Sequence, residues 1–152
     1  MKTTAAAKPD FEISDSRILI IDDQTENIRF LEDVLSSAGF NHVRATTNAP
    51  SAVAIWLEFR PDLILLDLHM PEMSGIEVME AVGARLGEDE YLPILVLTSD
   101  VSRDAKEKAF SAGAADFLIK PCSPGDIVPR TRALLRTRAK FKRLAWPNGA
   151  KR

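Results

Sequence analysis

The 152-residue chain is predicted to be an α/β domain, a doubly wound five-stranded parallel sheet of (βα)5 type. Three observations predict it. Short apolar runs alternate with stretches of helical spacing along the chain. The runs are apolar on both alternations, as in strands covered on two faces. Four of the five end in a polar or ionisable residue, the arrangement expected where parallel strands deliver side chains to one edge.

The elements follow in order. Arg17–Ile21 is the first strand and ends in Asp22-Asp23. Thr25–Ala38 has Ile28, Leu31, Leu35 and Ala38 on one face and Val34 beside them, with Gly39 as a helix stop. Val43–Thr46 is a short second strand. Asn48 is placed to cap the next helix, with Pro50 near its first position and Ala52, Ile55, Trp56 and Phe59 as its buried stripe. The third strand, Pro61–Asp67, has Leu63–Leu66 as its continuous apolar run and ends in Asp67, and Met70-Pro71 with Gly75 shapes the loop beyond it. A helix over Ser74–Leu86 carries Ile76, Val78, Met79 and Val82. Leu92–Leu97 is the fourth strand and leads to Thr98. Ser102 caps a helix that reaches Ala112 and stops at Gly113. Ala115–Ile119 is the fifth strand, followed by Lys120-Pro121. The last helix starts at Ser123 and extends past Lys140, with Ile127, Leu134, Phe141 and Ala145 on one face.

Composition narrows the class. Hydrophobic residues make up 45%, which suits an ordinary folded globule. No apolar run has the length of a membrane span or a signal-peptide core, and the single Cys122 excludes an internal disulfide. A cytoplasmic location is the expectation. Residues 1–129 carry 11 Lys+Arg against 22 Asp+Glu, whereas 130–152 carry nine Lys/Arg and no acid. An acidic body with a basic end bears on partners, not on fold. The organisation expected is a flexible leader over 1–15, a domain over 16–138 and a basic tail or linker over 139–152.

The strand-end residues carry the chemistry. Asp22, Asp23 and Asp67 at one edge would repel one another unless a cation joined them. Oxygen donors with open water positions suit Mg²⁺. Lys120 and the Thr98 hydroxyl complete a set of groups able to stabilise a phosphoryl group. Singly, each has a plainer reading: helix caps for Asp22 and Asp23, a strand-end hydroxyl for Thr98, a solvated Lys120, a core ring for Phe117. Together they are hard to dismiss.

In that order and at those strand ends, the residues Asp22-Asp23, Asp67 within Leu-Leu-Asp-Leu-His-Met-Pro-Glu-Met-Ser-Gly, Thr98 and Lys120-Pro121 resemble the receiver domain of bacterial two-component response regulators. The resemblance spans about 16–138 and implies a flavodoxin-like fold. It implies that Asp67 accepts a phosphoryl group from a sensor histidine kinase or phosphotransfer protein. It further implies Mg²⁺ held by Asp23, Asp22, Asp67 and the backbone carbonyl of His69, with Lys120 and Thr98 on phosphoryl oxygens. Phe117 matches the aromatic switch position, and the Lys120-Pro121 bond would be cis. His69 and Asp100 match positions that tune acyl-phosphate lifetime. A downstream effector or output domain, and a homodimer through the fourth-helix to fifth-helix face, are implied as partners; membrane and direct nucleic-acid binding are not expected. Such a domain is a phosphoacceptor rather than an enzyme on other substrates. Two other readings stand beside it: an inactive receiver fold used as a docking scaffold, and a haloacid-dehalogenase-type phosphohydrolase, which wants an acid where this chain has His69.

Overall fold

The computed structural model describes residues 12–145; the start of the expected leader and the end of the basic tail lie outside them. Five parallel strands, β1 (Arg17–Ile21), β2 (His42–Thr46), β3 (Leu63–Leu66), β4 (Ile94–Thr98) and β5 (Asp116–Ile119), form one sheet in the order β2-β1-β3-β4-β5. Five helices connect and cover it: α1 (Thr25–Ser37), α2 (Ala52–Phe59), α3 (Gly75–Gly83), α4 (Arg103–Ser111) and α5 (Pro124–Ala145). The chain first steps from β1 outward to β2, then returns to the other side of β1 to lay down β3. The order therefore reverses between β1 and β3, and their C-terminal ends flank the crevice that such a reversal opens.

Alternation along each strand feeds two cores. Ile18, Ile20, Leu63, Leu65, Leu95 and Leu97 point to the side of α1 and α5, against Ile28, Leu31, Leu35, Ile127 and Leu135. Leu19, Ile21, Ile64, Leu66 and Val96 point to the opposite side, against Trp56, Val78, Met79 and Val82. Strands covered on both faces must be apolar at every position, which is why these runs read as continuous rather than alternating.

Local chemistry sets the boundaries. Gly39 (φ +96) ends α1, with the Phe40 N–H on the Leu35 carbonyl at 3.0 Å. Gly113 (φ +117) ends α4 in the same way, with the Ala114 N–H on the Ala109 carbonyl at 2.9 Å. These are left-handed stops that glycine adopts without strain. Ser102 caps α4 through the Ala105 N–H. Ser74 and Glu77 form a reciprocal capping box on α3.

Some expected boundaries shift. Asn48 caps nothing with its side chain: its own N–H is taken by Thr46 Oγ1 at 3.0 Å, and a short 3-10 turn, Ala49–Ser51, precedes α2. β4 starts at Ile94 rather than Leu92, because Pro93 has no N–H and joins the ladder only through its carbonyl, which accepts from Ile64 N. α3 stops at Gly83, three residues short of Leu86, in a tightened turn where the Leu86 N–H reaches the Gly83 carbonyl. Ile13–Asp15, expected in the leader, forms a 3-10 turn, and Ile13 packs on the α1/α5 core.

The expected boundary at 138 falls inside α5, which continues to Ala145. What holds the helix there is at the opposite end of the sheet from the crevice. Asp62, 6% exposed, accepts the Arg17 backbone N–H at 2.8 Å and Arg138 Nε at 2.9 Å. Arg138 also donates to the Tyr91 carbonyl, and the Tyr91 and Phe141 rings lie 5.6 Å apart. One buried carboxylate thus joins β1, β3, the entry to β4 and the last turns of α5. We expect Arg138→Ala to lower stability by about 2 kcal/mol, because it strands a desolvated Asp62 oxygen. Urea unfolding should show a lower midpoint with an unchanged slope.

Candidate phosphoacceptor and metal site

The crevice between β1 and β3 receives the three acids. Asp22 and Asp23 follow β1 directly, and Asp67 follows β3. Asp67 is fixed from both sides of its backbone and side chain: its N–H donates to the Ile21 carbonyl at 3.0 Å, and its Oδ1 accepts from Leu68 N at 2.9 Å. Asp22, 2% exposed, accepts from Gln24 N at 2.9 Å and from Asn27 Nδ2 at 3.3 Å on Oδ1. The three side chains each offer an oxygen, and these oxygens lie within 4.8 Å of one another.

Lys120 reaches in from the end of β5. Its Nζ sits 2.8 Å from Asp22 Oδ2 and 3.9 Å from Asp67 Oδ1. One ammonium against three carboxylates leaves the crevice short of positive charge. The Asp67 carboxyl is accordingly pushed above its ordinary range, first by burial and then by Asp22 and Asp23, with Lys120 pulling the other way. A divalent cation is the group that this donor set fits: hard anionic oxygens, close together, with one side open to water. The carboxylates of Asp22, Asp23 and Asp67 would hold it.

Thr98, 1% exposed, ends β4 beside the crevice. Its Oγ1 accepts the Asp100 N–H at 3.2 Å, and its carbonyl accepts the Lys120 N–H at 2.8 Å, which ties the ends of β4 and β5 together. The Lys120-Pro121 bond is cis. The exposed His69 side chain is engaged by another acid: its Nε2 lies 2.6 Å from Asp100 Oδ2. That bond, together with Ser102, holds the Asp100 carboxyl down at about 2. Phe117, half-buried on β5, stacks near Phe110. Cys122 is a free thiol that burial pushes up, which removes it as a ready nucleophile.

Two contributors escaped the sequence reading as site residues. Asn27 steadies Asp22 from the first turn of α1, a pairing that an Asn in a helix does not advertise. Gly75 was visible only as a loop marker. Its position is so close to Asp67 that a Cβ would sit 2.4 Å from the Asp67 carbonyl oxygen and 2.9 Å from Leu68 Cα. The Gly75 N–H also donates to the Leu68 carbonyl at 2.8 Å. The glycine therefore lets α3 start directly against the loop that follows Asp67.

Fold and site together define a doubly wound α/β domain with a carboxylate cluster that could hold a cation at its switch point. The chain belongs to the response regulator receiver domain family, whose model matches residues 18–132, and is thus a signalling domain. It is 36% identical over 129 residues to the transcriptional regulatory protein PrrA of Mycobacterium leprae, covering 85% of this chain and 54% of that one. It is 35% identical over 125 residues to ResD of Bacillus subtilis, covering 82% and 50%. The chain spans about half the length of these relatives. Among solved structures, Vibrio cholerae chemotaxis protein CheY4 superposes with a TM-score of 0.73 at 28% identity, over 79% of this chain and 98% of that one. A response regulator from Chloroflexus aurantiacus, described as putative, gives 0.73 at 32% identity, over 80% and 98%. Among the described residues no helix is long and apolar enough to cross a membrane.

Two outcomes are expected. A carboxyl whose pKa rises on folding disfavours the fold once ionised, so Asp67→Asn should raise metal-free stability at about pH 7 by on the order of 1 kcal/mol. The gain should shrink as pH falls through the raised value and vanish below the unfolded carboxyl near ~4; urea unfolding of both proteins across that window measures it. Gly75→Ala should cost about 1–3 kcal/mol, because backbone atoms rather than flexible side chains obstruct the new methyl. Thermal and urea denaturation of that variant report the loss.

Proposed function

We propose that the chain accepts a phosphoryl group on Asp67 from a phosphohistidine of a sensor histidine kinase or phosphotransfer protein, and that this changes a protein-docking face. The observation that carries the reading is the convergence of Asp22, Asp23, Asp67 and Lys120 at the sheet's switch point. A carboxylate approaches an anionic phosphoryl group poorly, and the reaction needs positive charge on the transferring oxygens. When bound, Mg²⁺ would supply part of that charge. Asp22, Asp23, Asp67 and the His69 carbonyl are the ligands we assign to it.

Lys120 has the reach to supply the rest. It lies between Asp22 and Asp67, so it can follow a phosphoryl oxygen with a small displacement of its flexible stem. Thr98 offers its hydroxyl hydrogen to a second oxygen, since its lone pair already accepts from Asp100. Drawing Thr98 inward vacates space beside β5, and Phe117 is the ring able to fill it. That is a local charge event biasing a two-state packing element. We assign autophosphorylation and dephosphorylation to this site, a cytoplasmic location to the chain, and the readout to a downstream effector or output domain.

The hydrolase alternative needs an acid two residues after the nucleophile. The residue there is His69, and it is engaged with Asp100 at 2.6 Å. This counts against general-acid duty at the leaving group.

Intact mass after incubation with Mg²⁺ and acetyl phosphate tests the proposal. The wild type should gain one phosphoryl group; Asp67→Asn and chelator-treated protein should gain none. Lys120→Ala should slow the gain by roughly 100-fold, the usual effect of removing one preorganised charge donor. A gain that persists in Asp67→Asn, or steady turnover of a simple phosphate ester, would overturn the assignment.

A further inference from the structure

Helix α4 is fastened to the sheet differently from its neighbours. α1 buries Ile28, Leu31, Val34 and Leu35, and α3 buries Val78, Met79 and Val82. α4 buries only Ala105 and Ala109. Two methyl groups remove little apolar surface from water, so the hydrophobic hold on α4 is weak. Its one large apolar side chain is Phe110, which is 43% exposed and is not in the core. The Phe110 ring instead lies against Phe117 of β5, with centroids 6.2 Å apart and planes tilted by 35°. Phe117 itself is half-buried and packs on the cluster that contains Ala105, Ala109 and Ala114. The strand carrying it leads within three residues to Lys120, whose N–H is bonded to Thr98. The ring pair thus connects the most weakly anchored helix to the strand that ends in the phosphoacceptor site.

We propose that Phe110 is a positioning residue for the switch: its ring holds Phe117 against α4 in the unphosphorylated state, opposes the inward turn of Phe117, and releases α4 when that turn occurs. The proposal rests on the phosphoacceptor reading and adds to it the element that moves and the contact that sets its threshold. The contact exists only while Phe117 faces α4. Whatever strengthens it favours the resting state, and whatever removes it favours the switched one, in proportion to its differential energy between the two. The same loss frees α4 from its largest apolar neighbour, so the helix and the switch residue respond together. Phe110 touches neither metal ligands nor the transferring group; it acts through Phe117.

The full chain tests this with two readouts. The first is amide hydrogen exchange over 103–111 without a phosphodonor. The second is the apparent affinity for beryllofluoride with Mg²⁺, a stand-in for the bound phosphoryl group. Phe110→Ala should speed α4 exchange and tighten beryllofluoride binding, each about two- to tenfold, the range of an aromatic pair. Phe110→Tyr, which keeps the ring, should restore both to wild-type values. In a Phe117→Ala background, adding Phe110→Ala should change beryllofluoride affinity no further, since the partner ring is already gone. A merely destabilised helix would instead weaken or leave unchanged the affinity. The proposal is overturned if Phe110→Ala matches the wild type in both readouts, or if its effect on affinity persists without Phe117. Wild-type protein that takes neither beryllofluoride nor a phosphoryl group overturns the phosphoacceptor reading and this proposal with it. Wild type that takes both, with Phe110→Ala unchanged in affinity, overturns this proposal alone.

Discussion

Three carboxylates share one crevice with a single ammonium, and most of the molecule can be understood as what holds that unfavourable arrangement in place. Lys120 compensates Asp22 at 2.8 Å but stands 3.9 Å from Asp67. The remaining charge is held together by backbone. The Asp67 N–H is tied to β1 through Ile21, the Asp22 N–H to β2 through Thr46, and the Lys120 N–H to β4 through Thr98. Repulsion among the acids is thus opposed by the sheet's own hydrogen-bond ladder and by the two apolar cores that clamp it. The strain is local and electrostatic, which is the kind that a cation can relieve.

The molecule has two contrasting ends. At the C-terminal edge of the strands, loops carry acids, hydroxyls and the His69–Asp100 bridge. At the N-terminal edge, buried Asp62 joins the backbone of β1 to Arg138 of α5. The first end is poised to respond to charge; at the second, both carboxylate oxygens of Asp62 are paired. Helix α5 is further secured by Arg132 on the Ala38 carbonyl and by Arg130 on Asp116. Three of the nine cations near the C-terminus, Arg130, Arg132 and Arg138, thus fasten the helix. α4, by contrast, rests on two buried alanines and one ring contact.

Much of the site was legible because each of its residues stands directly after an apolar run. Asp22, Asp67, Thr98 and Lys120 are polar breaks in continuous hydrophobic sequence, and a parallel sheet has only one edge at which such breaks can gather. The helix stops at Gly39 and Gly113 were legible for a similarly local reason, since few other residues take a left-handed stop cheaply. The reading failed where a local preference met a competitor. Asn48 is a good cap by type, yet its side chain makes no cap hydrogen bond, and the 3-10 turn Ala49–Ser51 separates it from α2. Leu92-Pro93 looked like strand, yet a residue without an N–H cannot pair fully. Residues 1–15 looked like a loose end, yet Ile13 finds the core.

The sequence by itself determined the fold class, the number and order of the elements, and the identity of the residues delivered to the crevice, because hydrophobic period and strand-end polarity are properties of neighbours in the chain. The tertiary structure alone decided the partnerships: Lys120 with Asp22 across 98 positions, Arg138 with Asp62 across 76, His69 with Asp100 across 31. It also decided that Gly75 must have no side chain and that Phe110 meets Phe117. Contacts at such separations depend on how the sheet orders its strands, and no local pattern encodes the distance between two side chains that only the closed fold brings together.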